Sequence, residues 1–164
     1  MVREISAGGV VVKPGHAGWQ LAVIEPRKES SSRQSVTSRG KRQQKMLLAL
    51  PKGLVDPDEK PEETARREVF EETGVTATPI AKLADIKYVY VRTWGDQQRV
   101  FKIVSFYLFR YQSGEIDHIA PDMRIEVNRA LWIPLAEAAR KLAYSGEKQV
   151  VRRAIEYLQA HPEL

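Results

Sequence analysis

Cysteine is absent from all 164 positions, which removes disulfides and thiolate metal sites from consideration. Long hydrophobic runs are missing too. No apolar stretch approaches the ~20 residues that a membrane-spanning helix requires, and the opening MVREISAGG lacks the apolar stretch of a signal peptide. No internal repeat is visible. These absences argue against a disulfide-stapled scaffold and a helical membrane protein, and lead us to expect a soluble, cytoplasmic chain. What is present is 43% hydrophobic content, on a length that suits one compact domain over 1–164. The formal charge of +5 and the pI near 9.5 favour anionic partners without choosing among nucleotides, inositol phosphates and nucleic acid.

Strand-like segments dominate the pattern. Residues 5–12 (ISAGGVVV) and 19–24 (WQLAVI) predict a hairpin across the turn 13–18, with His16 a solvated turn residue. Residues 46–50 (MLLAL), 80–92, 100–111 and 126–133 predict further strands, with a turn at 93–98. Residues 135–144 and 147–159 predict amphipathic helices separated by Ser145 and Gly146. Between the second and third strands, residues 27–45 are Ser-rich and strongly basic, with no period that could build a core. They are expected to form a flexible surface insertion, which could also act as a basic flap over a polyphosphate. Strands, a helix, more strands and then helices make an α+β class.

The block over 53–75 (GLVDPDEKPEETARREVFEETGV) carries the chemistry. Pro61 suits the first helical turn, Glu62 and Glu63 favour its positive end, and Gly74 suits the position just past its C-terminus. On that helix Glu68, Glu71 and Glu72 fall within roughly 100° of arc. Three carboxylates so close repel one another, and a bound Mg²⁺ or Mn²⁺ would convert the repulsion into coordination. An acidic helix run also serves as an ordinary solvated face, so the flanks decide. Arg67 lies beside the acids and could pair with Glu59 or Glu71, tying the preceding loop to the helix.

The order Gly53, Glu59, Arg67-Glu68, Val69, Glu71-Glu72 and Gly74-Val75 fills every specified position of the signature G-x5-E-x7-R-E-U-x-E-E-x-G-U, where U is aliphatic. In this the chain resembles the Nudix hydrolase family. The resemblance implies an α/β/α sandwich around a mixed sheet, with the signature as a loop-helix-loop. It implies a divalent-metal-dependent pyrophosphohydrolase that uses Mg²⁺, or Mn²⁺, to activate water. Glu68, Glu71 and Glu72 resemble the family's metal ligands, the backbone carbonyl of Lys52 resembles a further ligand, and Glu68 or Glu72 could act on the water. Glu59, Arg67, Gly53 and Gly74 resemble its structural positions. Glu126, six residues before Trp132, resembles an additional acid of many Nudix enzymes that serves as ligand or general base; Glu115, Asp117 and Asp122 compete for that place.

Substrate choice rests on less. Lysine at position 52, in LPKG, is similar to Nudix enzymes acting on dinucleoside polyphosphates such as diadenosine tetraphosphate. Tyr88, Tyr90 and Arg92 alternate on one strand and share a face, suited either to stacking on a base or to core packing. Arg99 and Lys102 could extend an anion-binding surface. Diphosphoinositol polyphosphates, ADP-ribose and nucleoside triphosphates are alternative substrates, and a non-catalytic domain binding nucleotide or RNA is an alternative class. The expected partner is a small-molecule polyphosphate, with capped RNA the nucleic-acid candidate, no membrane, and a monomer or homodimer.

Overall fold

The computed structural model describes residues 1–27, 47–93 and 95–164. The basic segment expected over 27–45 therefore lies outside the described residues apart from Arg27, as do Met46 and Trp94.

Two strands open the chain, β1 (Val2–Gly15) and β2 (Gly18–Pro26). Their turn is shorter than the expected 13–18, because Lys13 and Pro14 still pair with Gln20 and Trp19. Pro14 is tolerated there since the pairing of β1 on its other side stops at Val12. The remaining strands are β3 (Lys52–Leu54), β4 (Val75–Val91), β5 (Arg99–Gly114) and β6 (Val127–Pro134). They form one mixed sheet in the order β4-β5-β1-β2-β6, with β3 added to β1. β1 and β5 run parallel and the other pairs antiparallel.

The helices are α1 (Pro61–Thr73), α2 (Leu135–Lys141) and α3 (Ser145–Ala160). They cover both faces of the sheet, which is why Val10, Val11 and Val12 are all fully buried rather than alternating. Ala7 and Val11 pack with Ala65 and Val69 of α1. Val10 and Val12 pack with Leu135, Val150, Val151 and Ala154 of α2 and α3. The α+β sandwich expected above is the observed architecture. Phe109 is fully buried beneath α1. Phe109→Ala should cost about 3–5 kcal/mol, read from chemical denaturation; a loss below ~1 kcal/mol would mean that this side of the core is not tightly packed.

One departure positions the site. β2 stays beside β1 only over Val12–Gly15 and then pairs with β6, so the two strands fork. Of the segment expected as a strand over 46–50, Leu48, Ala49 and Leu50 fill that fork. Ala49 exchanges two 2.9 Å backbone hydrogen bonds with Ile24 of β2, and Lys52–Leu54 then pairs with Ser6–Gly8 of β1. The ordered strand thus falls at β3, while in the described part of the expected segment, 47–50, Leu48 and Ala49 make isolated bridges alone. An apolar run signals burial, and here burial came without a regular ladder.

The C-terminal helices differ from expectation for a related reason. α2 stops at Lys141 rather than at Tyr144, since buried Leu142 turns extended to bridge Leu48 and Ala143 N–H reaches Leu48 O at 3.0 Å. α3 then starts at Ser145. Glu126, expected as the first residue of a strand, instead closes a 3₁₀ turn over Pro121–Ile125, and β6 begins one residue later.

Candidate active site

The fork, the start of the signature block and α1 meet at a cleft of about 550 Å³, lined by Glu68, Glu72, Glu126, Asp56, Lys52 and Lys102 among others. Glu68 and Glu72 lie on the buried side of α1, at 9% and 5% exposure. Burial raises both carboxyls. For Glu68 the Arg67 guanidinium opposes this in part, while Glu71 adds repulsion. Glu72 is pushed up to about 8 by burial and by Glu68, against the backbone N–H of Lys52, which donates to its Oε1 at 3.1 Å. Glu126 is exposed at the same cleft, and its charge acts on both. Two distant parts of the chain therefore bring three carboxylates together.

Arg67 organises the rest of the block. Its Nε and Nη2 donate to the two oxygens of Glu59 at 2.7 and 2.9 Å, a bidentate pair. Its Nη1 donates to Glu68 at 3.0 Å and to Glu71 at 3.1 Å. Glu59 also accepts from Thr64 Oγ1 at 2.7 Å, and these donors hold its carboxyl down at about 2. The loop before α1 is thereby fastened to the helix. Gly74 sits at φ +85°, in the left-handed region, and its N–H donates to Phe70 O at 2.9 Å to end the helix. At Gly53 the constraint is space: a Cβ built there would overlap the carboxyl of Glu68.

The donor set suits a hard divalent cation: buried carboxylate oxygens, with Glu72 raised to about 8 by burial and by Glu68, around a cradle kept open by Gly53. The Ser6 hydroxyl, 1% exposed and lining the same cleft, has no hydrogen-bond partner among the described residues. Among those residues no three acidic, histidine or cysteine side chains stand as a preformed ligand cluster. Glu68 and Glu71 each turn an oxygen to Arg67, and Glu71 does not line the cleft. Of the competitors for the role of Glu126, Asp117 is occupied, accepting from Arg124 at 2.8 Å and from Ala130 N–H at 2.9 Å. Neither Glu115 nor Asp122 lines the cleft.

A second cleft, about 620 Å³, adjoins the first and shares Lys52 and Tyr144 with it. Tyr88, Lys87, Phe106, Glu147 and Gln149 also line it. The other residues singled out for substrate are dispersed. Tyr90 donates to Glu4 at 3.0 Å, and Arg92 lies 3.6 Å from Asp96. Lys102 reaches the first cleft, 3.6 Å from Glu4. Arg99 lines neither cleft: three positions from Lys102 along β5, it points to the opposite face. The sequence reading missed Glu147 and Tyr144. A glutamate opening a helix carries the signal of a dipole partner, and nothing local reveals that this one is buried.

Known proteins agree with the geometry. The NUDIX domain family model matches residues 21–154. The putative mutator protein MutT4 of Mycobacterium tuberculosis (strain CDC 1551 / Oshkosh) is 36% identical over 159 residues, which cover 96% of this chain and 56% of that protein. An RNA pyrophosphohydrolase of Bartonella tribocorum (strain CIP 105476 / IBS 506) is 29% identical over 117 residues, 65% of this chain and 66% of its own. The chain thus spans 56% and 66% of these curated relatives. Among solved structures, a C. elegans Ap4A hydrolase in a binary complex superposes with a TM-score of 0.69 at 17% identity, covering 96% of this chain and 98% of that one. The NUDIX domain of Shewanella oneidensis NrtR complexed with ADP ribose gives 0.62 at 20% identity, with 96% and 90% covered. These two show the fold. With a family match over most of its length and the signature acids gathered on α1, the chain belongs to the NUDIX domain family.

Proposed function

We propose that residues 1–164 form one Nudix hydrolase domain, a cytoplasmic pyrophosphohydrolase dependent on Mg²⁺ or Mn²⁺, and that its substrate is a dinucleoside polyphosphate such as diadenosine tetraphosphate. The observation that carries this is the pair of adjoining clefts, one acidic and one bearing aromatic side chains, joined through Lys52 and Tyr144. A molecule with a chain of phosphates and a flat ring at its end matches such a pair. The solved Ap4A hydrolase that shares the fold is consistent with this reading.

When bound, the divalent cation neutralises phosphate charge and lowers the pKa of a water. Glu68 and Glu72 would hold it from α1, with Glu126 and the Lys52 carbonyl as further oxygen donors. Glu71 contributes through Arg67, keeping the guanidinium over Glu68 and Glu59. Glu126, exposed where Glu68 and Glu72 are buried, accepts the proton of the attacking water and passes it to solvent. Lys102 draws phosphate toward the cleft, and Tyr88 offers its ring to the base.

A second reading, hydrolysis at the 5′ end of RNA, is favoured by the Bartonella relative and by the net charge of +5. A phosphate-release assay separates the two. Diadenosine polyphosphates of several lengths, ADP-ribose, nucleoside triphosphates, diphosphoinositol phosphates and capped RNA would be compared under Mg²⁺ and Mn²⁺, with Glu72→Gln as control. The expected result is turnover of dinucleoside polyphosphates that the control loses. Turnover of RNA alone would replace the substrate. Binding of nucleotide or RNA with no turnover of any substrate would make the domain a regulatory module.

A further inference from the structure

Glu147 lies outside the acidic cleft, yet it is 3% exposed in the first turn of α3. A buried carboxylate is costly unless both oxygens find donors. Here Oε1 accepts from Leu50 N–H at 2.8 Å and Oε2 from the Lys52 ammonium at 2.9 Å. Lys52 is also 5.7 Å above the ring of Tyr144, and its own N–H reaches Glu72. One connected path therefore runs from α3 through Lys52 to α1.

Lys52 lines both clefts, so a phosphate chain laid from one to the other passes its ammonium. That charge is already answered. An incoming phosphate meets a nearly neutral pair instead of a bare cation, and at close range this difference is large. We propose that Glu147 is a positioning and specificity residue for polyphosphate, holding the Lys52 ammonium at the junction of the clefts and competing with the substrate for it. The inference rests on the polyphosphate reading above. Its consequence is moderated affinity: by offsetting Lys52, Glu147 keeps anionic substrate and product from being held too tightly to leave.

The test compares wild type, Glu147→Gln, Lys52→Gln and the double variant. The probe is methylenediphosphonate, whose bridging carbon prevents hydrolysis, titrated calorimetrically in Mg²⁺. Gln at 147 keeps an oxygen for Leu50 N–H while removing the charge. E147Q should bind about tenfold tighter, K52Q about tenfold weaker, and the double variant within about twofold of wild type. The gain in E147Q should shrink as salt is raised. Opposite shifts that cancel together are the signature of charge competition, which a purely structural residue cannot produce. If E147Q proves unstable, K52Q and the double variant still carry the test, since weakening must be reversed in the second. Equal affinities of wild type and E147Q, or a double variant no better than K52Q, would overturn this inference alone. A wild type that binds no probe would overturn both it and the polyphosphate reading.

Discussion

Glu72→Gln is expected to lose about 10²–10³-fold in kcat and, free of metal at pH 8, to unfold at a higher temperature than wild type. The two effects share a cause. Glu72 is nearly enclosed, and burial together with Glu68 raises its carboxyl from 4.5 to about 8. A carboxyl raised in the folded state binds more protons folded than unfolded between those values, so unfolding releases protons there. Its stabilising contribution is complete below about pH 4.5 and is lost as pH rises through about 8. Gln carries no such charge and still offers an oxygen to the Lys52 N–H. The metal-free difference should grow from near zero at about pH 4 to on the order of 2–4 kcal/mol above pH 8. Mg²⁺ should raise the melting temperature of wild type at pH 8 and leave the variant nearly unmoved. Near-full activity of Glu72→Gln would remove Glu72 from the site, and pH-independent melting differences would show that its charge is not confined.

Gly53→Ala should reduce kcat about 10²-fold at little cost in stability. The added Cβ would occupy the space of the Glu68 carboxyl, which is the movable end of a side chain and can swing away. Backbone conformation is not at issue, since Gly53 has no positive φ. The fold is therefore expected to hold, with a melting temperature close to wild type, while Glu68 leaves its place and metal titration shifts to higher concentration. Gly74→Ala should behave in reverse. There φ is +85°, and the obstacles are the backbone oxygens of Glu115 and His118, which cannot step aside, so stability falls first. Kinetics and thermal melts of the two variants check this contrast. Unchanged kcat in Gly53→Ala would show that the position of Glu68 is not needed; a large loss of stability would show that the backbone, not the carboxyl, yields.

The acidic helix was legible because its determinants are local. Pro61 at the start, Glu63 accepting from Lys60 N–H at 2.9 Å and left-handed Gly74 at the end all act within a few residues. Glu59 and Arg67, eight positions apart, are tied by the same local geometry. The strand expected at 46–50 gives way to β3 because burial of Leu48, Ala49 and Leu50 is a property of the fork between β1 and β2, which no window around residue 48 contains. Arg99 was grouped with Lys102 on charge alone, although strand parity separates them.

Taken by itself, the chain determined its periodic elements, the helix that carries Glu68, Glu71 and Glu72, and the glycines that bound the block, since propensity, capping and spacing are short-range forces. Tertiary structure decided which of those acids line a cleft, turning Glu71 to Arg67 and bringing Glu126 in from beyond β5. It alone placed buried Glu147 against Leu50 and Lys52, partners 97 and 95 residues away. The physical reason is that desolvation and charge pairing act through space, and their strength depends on neighbours that the folded sheet supplies.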